Sequence, residues 1–159
     1  MVNAWKTIRA LAVLAGGFGV FGRIILGILD GRGLHSLGYF TIQSNLLAWA
    51  WLLAAWILNL RAKSNDEAPG RSQPFGPALH GMVLVAIVAT GLIYNLLLAP
   101  LDTAEGLYWI FSFLNHTVTP LFFLADWLLW RARKPYTWPM VGGWLLFPSA
   151  YAVFGMIEG

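Results

Sequence analysis

No cysteine occurs anywhere in the 159 residues of this chain. That excludes disulfides, thiolate nucleophiles and cysteine-based metal sites. Charge is scarce as well. Asp, Glu, Lys and Arg make up 11% of the residues, against about 25% in an ordinary soluble domain. The net charge of +3 is no sign of a nucleic-acid partner, and none is expected. Neither a metal nor a cofactor is expected. What the chain has in quantity is apolar surface: 58% of residues are hydrophobic and the mean hydropathy is +0.67.

The apolar residues fall into runs near the length a helix needs to cross roughly 30 Å of hydrocarbon. Five spans are predicted, at about 7–29, 39–60, 77–99, 107–130 and 138–157. The fold class that follows is all-α, a polytopic transmembrane helix bundle forming one domain over 1–159. Several of the nine Trp and five Tyr sit at the ends of these runs, where amphipathic rings anchor at headgroup level. The first run continues past Arg23 to Leu29 with no small-x-small cleavage pattern, so it reads as a retained helix. The glycines of "AGGFGVFG" (Gly16, Gly17, Gly19, Gly22) read as a close helix–helix packing face. A phosphate cradle would need a strand before it.

Lys and Arg set the expected orientation. The N-terminus and the 61–76 and 131–137 loops hold Lys6, Arg9, Arg61, Lys63, Arg71, Arg131, Arg133 and Lys134, eight of the ten basic residues. The opposite loops hold only Arg32, and Arg23 lies inside a helix. The positive-inside rule then places the N-terminus in the cytoplasm.

Polar groups inside membrane helices are costly and mark candidate sites. Here they are Arg23, then Thr41, Gln43, Ser44 and Asn45, then Tyr94 and Asn95, then Asn115, His116, Thr117 and Thr119, and Asp126. With alternating spans, all but Asp126 fall between the outer interface and the midplane, from four different helices. Asp126 is placed near the cytoplasmic interface, paired with Arg131 or solvent.

Two helices carry the chemistry. On helix 4, Pro120 lacks an N–H, so the carbonyl of His116 loses its helical partner and a kink is expected. Trp109, Ser112, His116, Thr119, Phe123 and Trp127 follow the spacing of one face. On helix 2, Thr41, Ser44 and Asn45 share a face. A hydroxyl opposite a histidine is the minimum for nucleophilic acyl transfer. Thr41 or Ser44 would attack, and His116 would take the proton. Arg23, Ser44, Asn45, Asn95 and Asn115 are candidates for binding substrate or an oxyanion. No carboxylate is evident near His116, so its Nδ1–H would use a backbone carbonyl or Asn115. By depth Ser44 suits His116 better, since Thr41 lies ~3 Å into its helix and His116 ~14 Å into its own at 1.5 Å per residue.

The segments "YFTIQSNLL" and "FLNHTVTPLFFLADWLL" resemble the bacterial branch of the androgen-induced protein family of six-helix membrane proteins. The resemblance runs over helices 2 to 5. It implies a membrane-embedded hydrolase of lipid esters, of the type formed by fatty acids and hydroxy fatty acids. The family's threonine falls on Thr41 and its histidine on His116, with Thr117, Pro120 and Asp126 completing the pattern. It also implies membrane lipids and a lipid ester as partners, a bacterial inner membrane as location, and a sixth helix beyond Gly159. Two other readings use the same bundle: a non-catalytic lipid-binding or scaffold protein, and a small proton-coupled transporter relaying through His116 and Asp126.

Overall fold

A computed structural model describes residues 2–61, 76–129 and 136–158. Among them there is no strand, and five helical stretches are long and apolar enough to span a membrane: Thr7–Leu29, Phe40–Leu58, Gly76–Leu101, Gly106–Leu128 and Trp138–Ile157. The protein is thus an all-α bundle with the spans of an integral membrane protein. The first span lies in α1 (Val2–Leu29) and the second in α2 (Phe40–Arg61). The third is α3 (Gly76–Ile93) continued by a π-helical turn, Tyr94–Leu98, and a short 3-10 turn. The fourth is α4 (Gly106–Phe113), a second π turn at Leu114–Val118, and α5 (Thr119–Leu129). The fifth is broken into α6 (Trp138–Trp144) and α7 (Leu146–Glu158). Pro148 explains the break, because its missing N–H leaves the Trp144 carbonyl without a helical donor.

Side-chain contacts fix the alternation of the spans. Residues 9, 16, 19 and 22 of α1 meet 126, 119, 115 and 111 of the fourth span. Rising numbers face falling ones, so the two run antiparallel. Antiparallel pairing also holds between α1 and α2, where the Trp49 indole N–H donates to the Val13 carbonyl at 3.1 Å. The glycines of α1 make this approach possible. A Cβ at Gly22 would overlap the Phe111 ring, and one at Gly17 would lie 2.8 Å from the Trp49 indole nitrogen. The apolar core is built from Ala12, Val13, Ala48, Leu52, Val83, Ile87 and Phe123.

The connection between α1 and α2 decides where α2 begins. Gly31 and Gly33 have φ of +78° and +55°, a region open to glycine at little cost. They turn the chain back so that the 3-10 segment Gly33–Gly38 packs on α1, with Ser36 buried against Gly27. Gln43 then donates to the Leu37 carbonyl at 3.0 Å and holds that segment on α2. Because these residues descend into the bundle, Phe40 starts its helix below the end of α1. The depth gap expected between Thr41 and His116 is closed by this descent.

Asp126 differs from the sequence expectation of a shallow carboxylate beside Arg131 or solvent. It is 4% exposed and accepts from Arg9 Nε at 2.7 Å. Arg9, counted above among the loop cations, is 2% exposed inside the bundle. Arg131 lies outside the described residues. His80 sits beside the pair, its Nε2 4.0 Å from Asp126 Oδ2, with its ring stacked on Trp51 at 4.5 Å between centroids.

Candidate active site

At the end of the bundle opposite the N-terminus, the second, third, fourth and fifth spans, with Arg23 of the first, line an open cavity of about 610 Å³. Its walls are mostly apolar, from Phe40, Ile42, Ile93, Leu98 and Pro148 among others. Among the polar groups reaching it are Arg23, Thr41, Thr90, Tyr94, Ser112, Asn115 and His116. A concave apolar pocket with few convergent polar groups is the usual form of a small-molecule site.

Thr41 and His116 meet in its wall. Thr41 Oγ1 is 3.2 Å from His116 Nε2, although the residues are 75 apart in sequence. On the other side of the ring, Nδ1 lies 2.9 Å from the Ser112 carbonyl oxygen and 3.2 Å from Ser112 Oγ. A carbonyl can only accept, so Nδ1 carries the hydrogen and Nε2 presents its lone pair to the threonine hydroxyl. The Tyr94 ring stacks on the imidazole at 3.7 Å between centroids and 9° between planes.

Two π turns face each other here, Tyr94–Leu98 and Leu114–Val118. Such turns are common at functional sites and widen the local helix. The second one shifts the helix register between residues 112 and 119. Ser112 and His116 therefore line the cavity, whereas Thr119 is buried against Gly16 of α1. The single face expected for Trp109 through Trp127 is split by this turn, and Trp109 is 55% exposed. The carbonyl that Pro120 deprives of a donor is that of His116. Asn95 Nδ2 donates to it at 2.9 Å. Gly91 allows that approach, since a Cβ there would stand 3.1 Å from the same carbonyl oxygen.

The remaining sequence candidates have other tasks. Ser44 is wholly buried and lies 2.8 Å from Thr90 Oγ1, so it ties α2 to α3 and is not among the cavity's lining residues. Asn45 is also behind the wall. Its Nδ2 donates to the Thr41 and Asn115 carbonyls at 2.8 and 3.0 Å, holding the helices that carry the threonine and the histidine. Asn95 acts on the His116 carbonyl and accepts from Thr117 Oγ1 at 3.2 Å. Asn115 reaches the cavity wall, but its Nδ2 is committed to the Gly19 carbonyl at 3.1 Å. Arg23 is left as the side-chain cation on the cavity, its guanidinium 4.8 Å from the Tyr108 ring centroid. The first N–H groups of α2, at Phe40 and Thr41, have no acceptor within the helix, and both residues line the cavity.

One residue near the histidine was missed. Asp102, in the connection after the third span, accepts from the Tyr94 hydroxyl and lies 3.2 Å from Ser112 Oγ. The Ala104 N–H donates to its other oxygen at 2.8 Å. The Tyr94 hydroxyl and then this N–H hold the Asp102 carboxyl below the ordinary carboxylate range. It is therefore an anion throughout the neutral range. In sequence it was one acid of the loop "PLDTAEG", and nothing local linked it to His116.

Fold and site together define a helical integral membrane protein with a threonine–histidine pair on an apolar cavity. No family model, curated protein or solved structure matches the chain.

Proposed function

We propose that this protein is a membrane-embedded hydrolase of lipid esters, with Thr41 as nucleophile and His116 as general base. The observation that carries the reading is the 3.2 Å approach of Thr41 Oγ1 to a histidine nitrogen whose partner nitrogen is committed to a carbonyl. In the first step Thr41 Oγ1 bonds to the ester carbonyl carbon as His116 Nε2 takes its proton. The carbonyl oxygen becomes an oxyanion, facing Arg23 and the N–H groups at the start of α2. Collapse expels the alkoxide, which takes the proton from Nε2 and departs as an alcohol. Water then attacks the acyl-threonine by the same route, releasing the acid and restoring Thr41. The apolar walls suit an acyl chain lying beside the reacting carbonyl. The resemblance carried by "YFTIQSNLL" and "FLNHTVTPLFFLADWLL" supports the same reading, and with it a bacterial inner membrane and membrane lipids as partners.

A fluorophosphonate probe tests the nucleophile on purified protein. We expect the mapped adduct on Thr41, its loss in Thr41→Ala and partial retention in Thr41→Ser, where the hydroxyl survives. An adduct on Ser44 would move the nucleophile to that residue, and no adduct on a protein that also leaves lipid esters intact would favour a lipid-binding or scaffold role.

We further propose that the N-terminus is cytoplasmic and the cavity belongs to the outer half of the bilayer. With Arg9 removed from the loop count, eight minus one leaves seven basic residues on the N-terminal side against Arg32 on the other. Because native cysteine is absent, single cysteines report sidedness cleanly. Cysteine replacing Thr103 should react with an impermeant maleimide in intact cells, and cysteine replacing Asp66 only after lysis. The opposite pattern would reverse the orientation.

A further inference from the structure

The carboxylate of Asp102 lies on a connection outside the third span, yet its contacts end at the imidazole. It accepts from Tyr94 and Ser112. Tyr94 covers the face of the His116 ring. Ser112 Oγ donates toward Tyr94 Oη, 2.9 Å away, and toward Asp102. A hydroxyl has one hydrogen. With that hydrogen directed to Asp102 and Tyr94, Ser112 turns its lone pairs to His116 Nδ1, 3.2 Å away. An anion at position 102 thus adds to the Ser112 carbonyl, 2.9 Å from Nδ1, in favouring hydrogen on Nδ1, the tautomer that leaves Nε2 open to Thr41.

We propose that Asp102 is a positioning residue for His116, acting through Ser112 and Tyr94 to reinforce the imidazole tautomer that the Ser112 carbonyl selects and to stabilise the imidazolium formed when Thr41 is deprotonated. The inference rests on the threonine–histidine reading above. It adds a carboxylate that reaches the histidine through two hydroxyl side chains, so the base is oriented from a loop as well as by the Ser112 carbonyl of its own span. Asparagine at 102 would keep the shape but bring an N–H₂ donor. Donation from that group to Ser112 Oγ would leave the Ser112 hydrogen to Tyr94 Oη or to Nδ1, and on Nδ1 it would oppose the Ser112 carbonyl and draw hydrogen to Nε2, where it blocks the base.

The test uses the full chain in detergent with ¹⁵N-labelled histidine, the His116 signals being identified by their loss in His116→Gln. Native protein should show hydrogen on Nδ1. Asp102→Asn should shift the population toward hydrogen on Nε2, and Tyr94→Phe should do so in part. With a p-nitrophenyl ester as probe, Asp102→Asn should lose about 10²-fold in kcat with KM little changed, as for an interaction made mainly in the transition state. Asp102→Glu should recover part of the loss, and Glu105→Gln in the same connection should change nothing. The Asp102→Asn, Tyr94→Phe double variant should be no worse than Asp102→Asn alone, as expected for residues in one network. Native tautomer and native kcat in Asp102→Asn, alongside inactive Thr41→Ala, would overturn the role of Asp102 and leave the dyad standing. Full hydrolysis by His116→Gln would remove His116 from the mechanism, and the tautomer populations would then decide the Asp102 linkage by themselves.

Discussion

His116→Gln should retain its fold and lose at least 10²–10⁴-fold in ester turnover, the range for a missing general base. Glutamine can hold a hydrogen bond to Thr41 but cannot take its proton, so ground-state contact survives while the chemical step fails. The fold is expected to persist because the support in this region comes from the backbone of residue 116. Asn95 binds its carbonyl, and Asn45 binds the carbonyl of Asn115. Neither contact uses the imidazole. The check is hydrolysis of a lipid ester by variants with matched elution and helical circular dichroism. Native turnover by His116→Gln would remove His116 from the mechanism.

The second large effect concerns stability at the other end of the bundle. Asp126→Ala would leave the Arg9 guanidinium inside the bundle without its carboxylate. Removing one partner of a buried ion pair costs about 3–5 kcal/mol. At about 2–4 °C per kcal/mol for a chain of this size, Tm in detergent should fall by about 6–20 °C. Replacing both partners, as Arg9→Met with Asp126→Leu, should recover most of the loss, because well-packed apolar pairs commonly match a buried ion pair. The Asp126 carboxylate bonds Arg9 of α1, and Arg9 Nη1 reaches the Ala55 carbonyl of α2 at 3.5 Å. The pair therefore joins three spans. A double variant as unstable as Asp126→Ala would mean that the charges do something beyond pairing. An unchanged Tm in Asp126→Ala would show that the pair carries no stability.

The number and limits of the spans were legible because hydropathy and length are local properties. Phe40–Leu58 in the structure against 39–60 from sequence shows how closely. The freed carbonyl of His116 was equally legible, since Pro120 four residues on determines it by covalent geometry. The common depth of the polar groups followed from counting along alternating helices. The approach of Thr41 to His116 did not, because α2 starts below the end of α1 only after residues 33–38 fold back onto the bundle.

Contacts that depend on how helices rotate against one another lay beyond the sequence. Ser44 and Asn45 share the helical face expected of them, but whether that face meets the cavity or Thr90 and Asn115 is set by interhelical register. The π turn at Leu114–Val118 changes which residues of the fourth span share a face, so a 3.6-residue count fails there. Arg9 and Asp126 are 117 residues apart, and neither carries a local sign of the other. Asp102 reaches His116 through Tyr94 and Ser112, on two different spans. The sequence alone determined that this chain forms apolar helices of membrane-spanning length and which of them carry hydroxyl, amide and imidazole groups. Only the tertiary structure decided which of those groups touch, because helix formation obeys local hydrogen bonding and hydropathy, whereas side-chain convergence depends on the packing of all the helices at once.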